Sequence, residues 1–575
     1  MKVLDVEIPR PFVKRQKESP PVVGVDTESM TNGYAFLVAD SSGRHVWIHS
    51  LDDVVKFFDY EDYAYCILVA FNLNFDASVM LKWAGKKICT DLVNNGHVNV
   101  GSCVIEYIPS KYLRFRFGNR FVRVFDVAQF FRGSLDYNAK QYLGMSKIPM
   151  HRKSFTEEDY GDTDILTYCA KDAFLTQGLG EYVVQAFGKL GVKVQSLASP
   201  ASVLESYVLD QLLLRNPTKG VPKGAMEFAV RCFSGAWFEN FKAGYFEHTY
   251  RYDMVSAYPS VIRGLVDLSL GVWEHTKVRP EHFVYGYVFA RVFIPKMHIS
   301  PVVFKSANGG IFHPHGIWWT YLTAKEIDWI VTHGGWAEIK DAWWFVPSTE
   351  VMEFSGVVDK FFKVKRDASA DSMEQWTAKV ALAGMYGKFL QHRGGRGGRL
   401  YNPVYAAEIT SAVRLKVADA CMLSPSKIIA VMSDCVVSDG PLSLVDGSGL
   451  GDWSKTGPSA SLWIGPVQYE AEGQDRRFRH IPWKVLLEGD PNALEYTVTR
   501  NAPLTLRQAI LLNNFDGVGV FADRSITFNV RKLNWKRFWP ERPSCGGDLL
   551  TRQYDSVQLH VGSRLKEEDM RLWEI

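Results

Sequence analysis

The sequence has no run of eighteen or more apolar residues, so nothing in it is expected to span a membrane. It has no CxxC pair: its eight cysteines are scattered, which argues against a zinc site and for a reducing cytosol. The opening MKVLDVEIPRPFVKRQKESPP carries acids and prolines where a signal peptide needs an apolar core, so export is not expected and the cytoplasm is the expected compartment. Net charge is only +3, so any nucleic-acid path must come from local basic patches. There is no repeat, and no low-complexity tract except GGRGGR at Gly394. What remains is a chain of 575 residues, 47% hydrophobic and 22% charged, with room for several domains and a sizeable core.

Three stretches of the first third carry acids. VVGVDTES places Asp26 and Glu28 two apart in a β-branched run, on one face of a strand. Tyr65 to Asp76, YCILVAFNLNFD, reads as a buried strand ending in Asn72, Phe75 and Asp76. YCAKD, at Tyr168 to Asp172, lies in a helical stretch from about Asp164 to Ala186, where a spacing of four puts phenol and carboxylate on one face. Each acid alone reads equally well as a turn, a helix cap or a solvated helix face. Together, two strands and a helix can converge four carboxylates. Such a cluster needs divalent cations to offset its repulsion, and oxygen-only ligation suits magnesium or manganese. Paired ions activate water and steady a leaving oxygen, which hydrolyses a phosphodiester.

Farther on, Tyr252 to Ile262 reads YDMVSAYPSVI: a strand carries Asp253 to its end, and Pro259 helps turn the chain. Asp253 alone would be a turn or cap residue. Helices are expected at about Val351 to Arg366 and Ser372 to Leu390; the second contains KVALAGMYGK, with Lys379 and Tyr386 seven apart on one face. Ile428 to Gly440, IIAVMSDCVVSDG, reads as an apolar strand with Asp434 at its centre. From Phe187 to about Val230 the pattern is that of connector helices. After about Asn501, short strands and turns lead to RKLNWKRFWPERP, where Arg531, Lys532, Lys536 and Arg537 interleave with aromatics. That is either a surface for duplex phosphates or a solvated basic face.

In this order and at these distances, YDMVSAYPSVI, KVALAGMYGK and IIAVMSDCVVSDG resemble motifs A, B and C of family B DNA polymerases. D-x-E, N-x-x-F-D and Y-x-x-x-D resemble the Exo I, II and III motifs of 3′-to-5′ proofreading exonucleases. The short chain looks most like the protein-primed branch of phages and linear plasmids. The resemblance implies an α/β multidomain fold: an RNase H-like exonuclease domain over 1–190, then a right-hand polymerase. Its parts would be palm over 191–265, an insertion over 266–350 resembling the terminal-protein region, fingers over 351–392, palm again over 393–500, and thumb over 501–575. It implies template-directed DNA synthesis with proofreading for a viral or mobile-element genome, by a monomer using two Mg2+ (or Mn2+) ions at each active site. The implied partners are primer-template DNA, a single-stranded DNA 3′ end, dNTPs and a terminal protein primer.

By the same resemblance Asp26, Glu28, Asp76 and Asp172 are metal ligands, Tyr168 orients the attacking water, and Asn72 and Phe75 hold the 3′ end, whose bases stack on the ring. Lys147, in SKIPM, falls where the branch has a further exonuclease lysine, and equally suits a solvated loop. FSGAW from Phe233 resembles a Y-x-G-G/A motif near the template, with Gly235 either admitting the DNA backbone or simply turning the chain. Asp253 and Asp434 are the polymerase metal ligands. Tyr258 would underlie the incoming sugar and exclude a 2′-hydroxyl. Lys379 would aim at the triphosphate and Tyr386 at the nascent pair, with Lys363, Lys365 and Arg366 as candidate phosphate partners. Tyr469, in VQY, is what is kept of a K-x-Y motif that holds the primer end.

The chain also departs from the pattern. Ala383 and Gly384 replace asparagine and serine in motif B, and a helical glycine costs roughly 1 kcal/mol, so it is expected to permit close approach or bending. In motif C, Met432 stands at the first acid and Asp434 at the second, the indispensable ligand. Sliding the register by two would put Val436 at the metal and leave a dead polymerase; the first register is preferred because Met432 and Asp434 share a face of an alternating strand. The interval between motifs A and B, roughly 120 residues, fits the first of two insertions of this branch. After motif B, QHRGGRGGRLYNP is too short for the second, which puts strand displacement in question. Two other readings stand beside this one: a 3′–5′ exonuclease whose polymerase half only binds DNA, and a DNA-binding scaffold.

Overall fold

β-branched and aromatic runs fill the first third of the chain, and in the computed structural model they form strands. The structure describes residues 19–150, 154–211, 218–307, 309–352, 354–370, 372–393, 396–465, 468–472, 495–529, 536–542, 548–562 and 565. The early elements are β1 (Val22–Ser29), β2 (Ala35–Asp40), β3 (His45–Trp47), α1 (Leu51–Phe58), β4 (Ile67–Ala70), α2 (Leu73–Leu81) and α3 (Gly85–Asn95). Then come β5 (His97–Val100), β6 (Cys103–Ile108), β7 (Tyr112–Phe117), β8 (Arg120–Asp126), α4 (Leu135–Leu143) and the long α5 (Thr163–Lys189). They build one sheet in the order β3-β2-β1-β4-β8-β7-β6-β5, with β4 parallel to both β1 and β8. Helix α5 lies on β1. A Cβ at Gly24 would stand 1.8 Å from the Ala173 carbonyl oxygen, so only glycine admits the helix this closely. That approach sets Asp172 beside the strand that carries Asp26 and Glu28.

Two connecting helices, α6 (Pro200–Gln211) and α7 (Lys223–Cys232), lead to β9 (Phe238–Asn240), β10 (Lys242–Met254) and α8 (Ala257–Ile262). A second group of strands follows, with β11 (Gly271–His275), β12 (Tyr285–Ile294), β13 (Phe304–Lys305), β14 (Ile311–Phe312), β15 (Gly316–Thr323), α9 (Ala324–Thr332) and β16 (Trp336–Pro347). Its main sheet has the order β11-β16-β12-β15. Helices α10 (Ser355–Asp367) and α11 (Met373–Lys388) form a pair, and the loop after them folds into the small hairpin β17 (His392–Arg393) and β18 (Arg396–Gly397). The largely buried α12 (Pro403–Met422) then passes to β19 (Ile428–Met432), β20 (Cys435–Ser438), β21 (Trp453–Gly465) and β22 (Gln468–Ala471). These strands complete an antiparallel central sheet, β22-β21-β10-β20-β19-β9.

The last segment divides among its neighbours. β23 (Glu495–Ala502) pairs with β24 (Ala522–Asn529). Between them Leu504, Leu506, Ala509 and Val518 join the core of the first sheet, and the buried Lys82 ammonium donates to the carbonyls of Asn32, Asp516 and Val518 at 2.6, 2.9 and 2.9 Å. Farther on, Trp539, Leu549 and Tyr554 pack on the central sheet, where β25 (Tyr554–Asp555) pairs with β10. No helix among the described residues is long and apolar enough to cross a membrane.

Two candidate carboxylate centres

The first centre lines a cavity of about 680 Å3 at the C-terminal end of β1, an interior strand of the first sheet. Asp26 and Glu28 enter from β1, Asp76 from α2, and Tyr168 and Asp172 from α5, as i,i+2 and i,i+4 spacings require. The strand expected to reach Asp76 stops at Ala70 instead. Asn72 takes a left-handed conformation, φ 67°, and starts α2, so Phe75 and Asp76 lie in a first helical turn. The buried Asp126 fixes that turn: its carboxylate accepts from the backbone N–H groups of Asn72 and Ala128, both at 3.1 Å. Asp126 was not among the residues expected from the sequence, and only its place at a strand end ahead of a turn marks it.

The electrostatics of this centre ask for a cation. Burial and the neighbouring Asp172 push Asp26 up to about 8, and burial with adjacent acids holds Glu28 and Asp76 well above the usual carboxylate range. Burial raises Asp172 too, although Lys147 opposes it. Among the described residues Asp172 Oδ1 is buried without a hydrogen-bond partner, and the Cys169 thiol sits with Asp26 and Glu28 so that their ligand atoms lie within 4.8 Å of one another. Oxygen donors, mutual repulsion and an unpaired buried oxygen fit divalent ions of the magnesium class. Lys147 is brought into the centre, paired with Asp172 and 5.0 Å from the Tyr168 ring centre. Asn501, Gly519 and Phe521, from the far end of the chain, line the same cavity, and the Phe521 ring stands 6.0 Å from that of Phe75.

The second centre lies at the end of the central sheet. Asp253 is near the end of β10, and Asp434 lies in the two-residue turn between β19 and β20, with Asp253 opposite Cys435 in the ladder. The strand expected to hold Asp434 at its centre is thus two strands, broken by Ser433 at φ 65°. Alternation along one strand therefore does not relate Met432 to Asp434. Met432 turns into a core with Phe246, Trp463 and Tyr469. Val436, the metal position in the alternative register, is fully buried in another core. Burial raises Asp434, and Asp253 adds to the rise. Two neighbouring carboxylates, with Asp253 paired to Arg251, fit divalent ions here as well.

Around these acids Tyr258 shares a hydrogen bond of 2.8 Å with Ser433 and stacks on Tyr386 of α11. Lys365 donates to Ser256 at 2.6 Å; burial and the nearby Lys379 lower its pKa, against Asp434. Of the three cations proposed on α10, Lys365 is therefore the one that faces the centre. Arg366 pairs with its neighbour Asp367, and Lys363 is exposed near the same carboxylate, because both lie on other faces of the helix. Lys379 is exposed and 5.7 Å from the Trp376 ring. A Cβ at Gly384 would come within 2.5 Å of Ala201 Cβ, so this glycine lets α11 close on α6.

Phe233 and Gly235 lie in the loop after α7, and nothing among the described residues would meet a Cβ at Gly235. Lys305 Nζ donates to the Phe233 carbonyl at 2.6 Å. Tyr469 is brought to the second centre, its hydroxyl accepting from Arg251 at 3.2 Å. Arg537 is not a phosphate contact: it is 3% exposed, pairs with the buried Glu239 at 3.0 Å and donates to the His298 carbonyl and to Ser556. Lys536 turns to the Phe238 carbonyl, 3.3 Å away. The expectation for Arg537 fails because interleaved aromatics drew this segment into a core. Arg531 and Lys532 lie outside the described residues.

No protein-family model and no curated protein matches the sequence. Solved structures of Phi29 DNA polymerase match the fold. Its orthorhombic crystal form aligns with a TM-score of 0.61 at 14% identity, over 89% of this chain and 100% of that chain. Its ternary complex with primer-template DNA and incoming nucleotide substrates gives 0.59 at 14% identity, over 89% and 99%. Its complex with single-stranded DNA gives 0.58 at 15% identity, over 89% and 100%. The chain has that polymerase's fold, with an α/β unit built on the eight-stranded sheet preceding the antiparallel central sheet.

Proposed function

We propose that the chain is a template-directed DNA polymerase with a 3′–5′ proofreading exonuclease, serving a viral or mobile-element genome and started from a terminal protein. The observation that carries it is the pair of separate carboxylate centres, one in each half of a polymerase fold, each flanked by the cations and rings its chemistry needs. Bound divalent ions supply activation of the attacking oxygen and charge neutralisation at the leaving oxygen.

The rest is positioning. At the second centre Asp253 and Asp434 hold the ions, Lys365 and Lys379 draw in the triphosphate, Tyr386 lies under the nascent base pair, and Tyr258 walls off a 2′-hydroxyl. At the first centre Asp26, Glu28, Asp76 and Asp172 hold the ions. Tyr168 and Lys147 orient the attacking water, while Asn72 and Phe75 grip the frayed 3′ end of single-stranded DNA. Magnesium or manganese, dNTPs and primer-template DNA are the ligands this reading requires, and the host cytoplasm is where it places the reaction.

A 5′-labelled primer on a longer template, incubated with magnesium, tests it. Shortening without dNTPs and full extension with them is expected. Shortening under both conditions would leave an exonuclease with a DNA-binding polymerase half, a reading favoured by the cation that sits on Asp253.

A further inference from the structure

We propose that Arg251 holds the last phosphodiester of the primer, resting on Asp253 while that acid carries no metal and turning to the phosphate when it does. This rests on the polymerase reading above. Arg251 and Asp253 are two apart on β10 and project from one face. The guanidinium pairs with the carboxylate: Nη2 donates to Oδ1 at 2.8 Å, and Nε stands 2.7 Å from Oδ2 as an ion-pair contact without the geometry of a hydrogen bond. Its remaining arm, Nη1, donates to the Tyr469 hydroxyl at 3.2 Å. Tyr469 is itself fixed, stacked on Trp463 with ring centres 4.2 Å apart and planes at 7°.

The arginine therefore stands on the β21–β22 flank of Asp253. The other flank holds the Ser433–Asp434 turn and Tyr258, and Lys365 reaches Ser256 from α10. Lysines on that side suit the triphosphate, which leaves the primer backbone to the side of Arg251. Lys455, the basic residue of β21, lies away from it, 5.1 Å over the Tyr250 ring on the other face of the sheet. Val467, two residues before Tyr469, offers no charge. A divalent ion on Asp253 takes the oxygens that the guanidinium now uses. The freed fork keeps the geometry that matches two phosphate oxygens, and its side chain, 20% exposed, is within reach of a ligand. Tyr469 acts as the pivot.

The test is fluorescence anisotropy of a primer-template with a recessed 3′ end, in calcium and without dNTPs, for the wild type, R251Q and R251K. Each binds a natural probe and one whose last primer linkage is a neutral methylphosphonate. R251Q and the neutral linkage are each expected to weaken binding about 10-fold, and together no more than either alone. R251K, which keeps the charge and loses the fork, should fall between. For R251Q the slope of log affinity against log salt should drop by about one on the natural probe. Additive losses, wild-type affinity in R251Q, or R251K binding more weakly than R251Q would overturn the proposal. The readout needs no synthesis: failure of the wild type to extend a primer removes the polymerase reading, whereas additive losses remove Arg251 alone.

Discussion

Tyr258 and Tyr386 stack with ring centres 4.3 Å apart and planes at 12°, joining α8 to α11. On the polymerase reading proposed above, an incoming nucleotide would meet both rings, one under the sugar and the other under the base. Tyr258→Ala should raise ribonucleotide incorporation about 10- to 100-fold, and Tyr386→Ala should raise the KM for dNTPs about 10-fold. Single-nucleotide kinetics with dNTP and rNTP pairs measure both; unchanged discrimination in Tyr258→Ala would remove its steric role.

Asp434, in the turn between β19 and β20, lies beside Asp253 of the neighbouring strand β10. Asp434→Asn should reduce extension by at least about 1000-fold and leave degradation of a single-stranded primer intact. Retained extension on the same gel would move the metal ligand elsewhere.

Lys147 touches both Asp172 and Tyr168, and holds an acid that also needs an ion. Lys147→Ala should slow degradation about 10- to 100-fold without changing extension. A variant that degrades primers at the wild-type rate would return Lys147 to the role of a surface lysine.

Stability without metal should depend on pH through Asp26. Its carboxyl is pushed up to about 8 by burial and Asp172, so the folded chain binds its proton more tightly than the unfolded chain does. That contribution is full below the ordinary carboxylate range, near 4, and is lost as pH rises through about 8. The Tm of metal-stripped protein should fall across this window, the fall should shrink in Asp26→Asn, and magnesium should raise Tm more at the alkaline end. A metal-free Tm that climbs across the window contradicts the geometry of the cluster.

Gly384 offers a packing test. Restoring serine there, as the motif B pattern suggests, would drive a Cβ into Ala201 and cost about 1–3 kcal/mol. Thermal melting of Gly384→Ser should show a lower Tm; an unchanged one would mean that α6 yields without cost.

The first centre was legible because its residues sit on regular elements: two apart on a strand and four apart on a helix fixed the faces before any fold was known. Where an irregular backbone decides, the sequence said less. Asp434 reads as mid-strand until Ser433 takes a positive φ, and Asn72 does the same for the start of α2. The phase of α10 is set by its contacts with α11 and α8, so Lys365 could not be told from Lys363 or Arg366. Arg537 was misread because a basic, aromatic stretch looks the same whether it faces DNA or Glu239. Arg251 carried no signal of its own, since its partner Tyr469 lies more than two hundred residues away.

Leu504, Leu506, Ala509 and Val518 belong to the core that β1, α2 and α3 begin to build at the other end of the chain. On the ribosome, then, the first sheet emerges early but cannot close that core until residues near 518 have been made. The first domain waits for nearly the whole polypeptide, and the cavity walled by Phe75 and Phe521 is complete only after the central sheet has been synthesised. A nascent chain stalled in the middle would carry all the acids of the first centre and an unfinished wall around them.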